Sequence, residues 1–207
     1  MMDASNFPPT KLRNPALLLV FSLIGFVLLM MVVIGLVLPS FPNGIGELTP
    51  QQMSSFLEEY LLIQAFPLVP ILLGIAGIGL LYSSLKETAG HRFAWLGLIV
   101  AMLMGTLYLV LIIFRISLVS FSDATLSANS VWQWTSWAYD KLGLILPATA
   151  TLFIGISLYQ STLLRRTGLI IAILSGIAIP LAIFVGYPSF VFGFLWLAIG
   201  LGLLSRK

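Results

Sequence analysis

The stretch "NPALLLVFSLIGFVLLMMVVIGLVL", residues 14–38, decides the class of this chain. From Pro15 to Leu38 it holds no charged side chain. As a helix it is long enough to cross a bilayer core about 30 Å thick. Asn14 and Pro15 read as an N-cap and a first helical position. The run stops at "PSFPNG", where Pro39, Pro42 and Gly44 end a helix. A cleaved signal peptide needs a shorter apolar core and a small-residue cleavage site. Neither is present, so the run reads as a retained span.

The rest of the chain follows the same grammar. Of 207 residues, 59% are hydrophobic and 8% charged, with mean hydropathy +1.09. Soluble domains carry about 25% charged residues, and the polar intervals here are too short to enclose a core of their own. Residues 1–207 therefore read as one integral membrane domain, an all-α bundle of six transmembrane helices. The spans fall at about 15–38, 60–85, 93–119, 142–164, 168–186 and 189–205. Only Tyr187 and Pro188 join the last two, which implies a tight helical hairpin. Two outer helical extensions are expected. "TPQQMSSFLEEY" opens with the capping-box spacing of Thr49 and Gln52 and runs toward the second span. "SANSVWQWTSWAYDK" starts near Ser127 or Asn129 and runs into the fourth.

Basic residues orient the spans. With the N-terminus inside, Lys11, Arg13, Lys86, Arg92, Arg165, Arg166, Arg206 and Lys207 share one side, eight of the ten. Six spans with both termini cytoplasmic preserve that asymmetry. Because the basic residues sit at the ends of apolar runs, the formal charge of +3 does not point to nucleic acid.

"PILLGIAGIGLLYSSL" from Pro70 parallels "PATATLFIGISLYQST" from Pro147, with Tyr82 and Tyr159 twelve residues on and Ser84 and Ser161 fourteen. A basic turn and a rising span follow each, so a parallel internal repeat and a chance match of low-complexity sequence both remain open. Packing is expected at small residues four apart, such as Gly79 and Ser83, Ala101 and Gly105, or Ala198 and Gly202. Pro67, Pro70, Pro147 and Pro180 are expected to kink their helices.

Most chemistry lacks its residues. There is no cysteine and one histidine, His91, in a polar turn. Thiol chemistry, a two-histidine haem site, an HExxH zinc site and a serine–histidine pair are thereby excluded. No glycine loop with a lysine cradles phosphate, so no cofactor, no metal and no enzymatic activity are expected. An outer-interface polar cluster is the candidate site: Glu58, Glu59, Arg115, Asp140 and Lys141. Arg115 lies late in the third span, where ion pairing with Glu59 or Asp140, or snorkelling to the headgroups, accounts for its charge. Trp132, Trp134, Trp137 and Tyr139 read as an interfacial aromatic belt. At 100° per residue, Trp132 and Tyr139 share one side and Trp134 and Trp137 the other. The polar residues within the spans, Gln64, Thr106, Thr149, Thr151, Ser157, Gln160 and Ser175, read as backbone or interhelical hydrogen-bonding groups.

"FIGISLYQSTLLRRTGLIIAILSGI", residues 153–177, and "PSFVFGFLWLAIGLGLLSRK", residues 188–207, together resemble an uncharacterised group of small bacterial multi-pass proteins classed as domains of unknown function. The resemblance covers roughly the second half of the chain. It implies a six- or seven-helix bundle ending in a Gly- and Trp-containing span, and it brings over no catalytic residue. The proline that the group often carries in its basic turn is missing from "LLRRTG".

The expected role is a non-enzymatic inner-membrane protein, structural, accessory or lipid-interacting. Its partners are the lipid bilayer and, beyond it, another membrane protein or a second copy of the chain. The alternative is a small carrier for a neutral or apolar solute. That alternative requires a polar-lined cavity reaching midplane around Gln64, Thr106, Thr149 and Thr151.

Overall fold

The computed structural model describes residues 9–33, 35, 61–63, 65–120, 126–185 and 191–205. Six α-helices form among them: α1 Pro9–Val32, α2 Leu68–Ser84, α3 His91–Ser120, α4 Leu126–Gln160, α5 Arg165–Phe184 and α6 Val191–Leu204. Five segments are apolar and long enough to cross a bilayer: Lys11–Val32, Leu61–Ser84, His91–Ser117, Gln133–Gln160 and Arg165–Phe184. This is a multi-pass membrane protein. The sixth helix differs from expectation. Its 14 residues reach about 21 Å at 1.5 Å each, short of the roughly 30 Å hydrocarbon core.

Which faces the helices bury marks lipid as their solvent. On α5 the exposed stripe is Ile170, Ile173, Leu174 and Ile177, while the buried positions are Gly168, Ile171, Ser175 and Ala182. In water the larger apolar face would turn inward. Here it turns outward, and the small residues let neighbouring helices approach.

The first helix begins before Asn14 and Pro15, and Pro15 lies inside it. A proline there has no N–H for the carbonyl of residue i−4, which is Lys11. The Ser84 hydroxyl at the end of α2 comes within 3.3 Å of that carbonyl. In the second span the hydrogen-bond ladder is interrupted at the prolines while the Pro67 backbone stays helical. The regular helix breaks at Phe66 and Pro67 and restarts at Leu68, because Pro67 and Pro70 withhold the N–H groups that Ile63 and Phe66 would have used. In contrast, α4 and α5 run unbroken through Pro147 and Pro180.

Thirty-five residues make α4, about 52 Å long. The outer extension expected near Ser127 is thus one helix with the fourth span. The other extension, from Pro50, lies outside the described residues.

Sequential helices pack side by side from α1 to α5, and α6 packs mainly against α1, touching α4 and α5 only lightly. The tight α5–α6 hairpin expected from "YP" is therefore not the packing partner of α6. At Gly200 a Cβ would lie 2.8 Å from the Ala16 carbonyl, so α6 and α1 meet backbone to backbone.

The core is concentrated at one end. Leu12, Ala16 and Leu19 of α1 cluster with Ile78 and Leu81 of α2, Ile154 and Leu158 of α4, Ile171 of α5 and Ile199 and Leu203 of α6. These lie toward the start of α1 and α5 and the end of α2, α4 and α6. This end also carries the two short turns, 85–90 and 161–164. In one turn the His91 ring stacks on Tyr82, centroids 5.8 Å apart. In the other the Arg165 guanidinium lies 5.4 Å from the Tyr159 ring centre. The two repeat-like tyrosines therefore do similar work at matching corners. The helix pairs above them differ, because α4 and α5 pack far more closely than α2 and α3.

Candidate functional site: an apolar cleft between the helices

Toward the opposite end, where α1 finishes and α2 begins, the helices border a cleft of about 650 Å³. Among the described residues its walls are Ser22, Leu23, Phe26 and Met30 of α1, Pro70 and Ile71 of α2 with Pro67 before it, and Met104 and Tyr108 of α3. Trp137, Asp140, Lys141, Gly143, Leu144 and Pro147 come from α4, and Phe192, Gly193 and Trp196 from α6. Small-molecule sites commonly enclose about 300–1,000 Å³ with mostly apolar walls and a few polar groups. This cleft fits that description.

Trp196 separates the cleft from the packed core. Its ring covers Gly74 of α2, where any Cβ would overlap it, and its Nε1 donates to Thr151 Oγ1 on α4 at 2.9 Å, both buried. The indole therefore needs a glycine on one helix and an acceptor on another. On the wall nearby, Ser22 Oγ donates to the Pro70 carbonyl at 2.7 Å and ties α1 to the start of α2.

The polar cluster expected at this level is brought together only in part. Asp140 and Lys141 both line the cleft, whereas Arg115 is half-buried on α3 and is not among the lining residues. Glu58 and Glu59 lie outside the described residues. Lys141 joins no carboxylate among the described residues. Its Nζ donates to the carbonyls of Ala182 at 3.0 Å and Ile183 at 3.1 Å. Those are among the last carbonyls of α5, which lack intrahelical donors and carry the negative end of the helix dipole. Asp140 is exposed and makes no hydrogen bond or ion pair with a described residue.

Of the aromatic belt, Trp134 and Trp137 are 64% and 60% exposed. Trp132 and Tyr139 belong to α4, and their side chains fall outside the described set. Thr135, Ala138 and Leu144 are the buried positions of this part of α4. Trp137 thus flanks the buried stripe and borders the cleft mouth.

Among the described residues, the polar side chains within the spans do not line a path through the bundle. Thr106 is exposed and donates to Met102 O of its own helix at 3.0 Å. Thr149 donates to Ile145 O at 2.8 Å, and Thr151 is taken up by Trp196. Ser157 donates to Gly90 O across the α3–α4 corner at 2.8 Å. Ser175 Oγ, fully buried, has no hydrogen-bond partner. Gln64 is outside the described residues. Among the described residues no three His, Asp or Glu side chains come together as a metal site.

A smaller polar depression of about 400 Å³ lies at the packed end between α1 and α2, bordered by Lys11, Asn14, Ser83, Ser84, Lys86 and Glu87. Sequence reasoning placed these lysines as orientation signals only. The signal for the main cleft was present in the prolines: Pro67 and Pro70 at the start of α2 and Pro147 on α4 all border it. No protein-family model, curated protein or solved structure matches this chain.

Proposed function

We propose that this is a non-enzymatic, lipid-interacting protein of a bacterial inner membrane, with both termini cytoplasmic, whose outer cleft receives an apolar chain. The observation that carries the reading is the cleft itself, a space of about 650 Å³ walled by Phe, Met, Pro, Leu and Trp side chains. In a membrane such a space fills with the apolar groups of lipid. The eight basic residues on the opposite side of the assigned topology support the orientation. A packed layer favours binding over passage. Beyond Trp196 the described core holds Leu19, Ile78, Ile154 and Ile199 with little exposed surface.

Gly143 provides the test. It borders the cleft, and a Cβ there meets nothing within 4 Å, so the side chain of Gly143→Leu starts in open space and takes up cleft volume. The protein is reconstituted in nanodiscs with a phospholipid carrying a photoactivatable diazirine on its acyl chain, then irradiated and digested. Labelling of peptides containing Phe26, Met30 and Met104 should fall several-fold in Gly143→Leu, while labelling of the outward face of α5 stays constant. Equal labelling of the cleft peptides in both proteins would sink the reading.

A further inference from the structure

The polar groups around the cleft are not equivalent, and their commitments give the cleft a preference. Ser22 donates to Pro70 O and Trp196 to Thr151, so neither donor is left for a ligand. Lys141 spends two N–H bonds on the carbonyls of Ala182 and Ile183; an ammonium has three. Asp140 is exposed and bonds no described residue. Trp137, three residues earlier on the same helix face, presents an exposed ring beside it. Pro147 adds to the acceptor side, because it has no N–H to give the carbonyl of Gly143.

A carboxylate next to an aromatic ring suits a cation, which gains a charge-assisted hydrogen bond from one and a cation–π contact from the other. The remaining N–H of Lys141, one residue further on, suits an anion. Such adjacent opposite preferences match a zwitterion. We infer that the cleft selects a phospholipid with a primary-amine, zwitterionic head. Its ammonium sits against Asp140 and Trp137, its phosphate reaches the third N–H of Lys141, and one acyl chain enters toward Trp196. This inference rests on the lipid-interacting reading above and adds the identity of the head.

Native mass spectrometry after release from nanodiscs of equimolar phosphatidylethanolamine and phosphatidylglycerol tests it, using the full chain, Asp140→Asn and Gly143→Leu. The wild type should retain phosphatidylethanolamine about tenfold over phosphatidylglycerol, the scale of one charge-assisted hydrogen bond. Asp140→Asn should keep bound lipid but lose that preference, and Gly143→Leu should lose both lipids. Equal retention of the two lipids by the wild type, or a preference that survives in Asp140→Asn, overturns the head inference; if Gly143→Leu still sheds both lipids, the chain-binding reading stands. Retention in Gly143→Leu equal to wild type overturns both.

Discussion

Two glycines on α4 are expected to respond to the same substitution with opposite signs. At Gly143 the added methyl group enters open space. Its effect is the helix propensity of Ala over Gly, about 0.5–1 kcal/mol of stabilisation. At Gly155 the methyl would lie 2.7 Å from Ala172 N and 2.9 Å from Gly168 O, both backbone atoms of α5. Favourable carbon contacts begin at about 3.5 Å, so α4 and α5 must separate by roughly 0.8 Å. The contact is reciprocal, since a Cβ on Gly168 would lie 2.7 Å from Gly155 O and 2.7 Å from Tyr159 N. Backbone cannot swing aside as a side-chain tip can. Overpacking costs about 1–3 kcal/mol, and the propensity gain offsets only part of it. Because the propensity gain is common to both sites, the two variants should differ by about 1–3 kcal/mol, or roughly 2–12 °C in melting temperature at about 2–4 °C per kcal/mol for a protein of this size. Intrinsic tryptophan fluorescence during a thermal ramp in nanodiscs reads the difference. Gly155→Ala melting at or above Gly143→Ala would show that α4 and α5 do not meet backbone to backbone, and the α4–α5 packing described here would be wrong.

Thr151→Val keeps shape but removes the acceptor of the buried Trp196 N–H. It should cost about 0.6–1.7 kcal/mol, the range for hydrogen bonds between membrane helices, and an unchanged melting temperature would refute that bond. Ser175→Ala removes a buried hydroxyl without a hydrogen-bond partner and should be neutral or stabilising by up to about 1 kcal/mol; a clear loss of stability would mean that the hydroxyl is bonded. Lys141→Met should raise deuterium uptake in the peptide covering residues 178–185, because the end of α5 loses two donors. Uptake equal to wild type would show that the lysine does not hold that end.

Sequence conveyed the class and the five long apolar helices among the described residues, because hydrophobic length is a property of single segments. Packing was harder to read, and the reason is physical. When the solvent is lipid, the outward face is as apolar as the inward one, so hydropathy does not tell which side of α5 meets α4. What distinguishes the sides is size, and small residues are too common in membrane helices to single out partners. Gly79 and Ser83 illustrate this: Gly79 has only Leu98 within 4 Å of its Cβ position and Ser83 is exposed. The close approaches form instead at Gly155 against Gly168 and Ala172, and at Gly200 against Ala16.

Lys141 shows a second limit. Charge pairing suggests a carboxylate partner, and several stand at the same depth in the sequence. A helix end, however, also offers carbonyls that have lost their donors, and no residue type announces them. Only the placement of α5 beside α4 brings Ala182 and Ile183 to the ammonium. That placement has a consequence for the cleft. Asp140 and Lys141 are consecutive on α4, so their side chains point in different directions, and Lys141 reaches the end of α5. Lys141 both satisfies the end of α5 and borders the cleft, so the stability of one helix terminus and the chemistry of the cleft mouth depend on the same side chain.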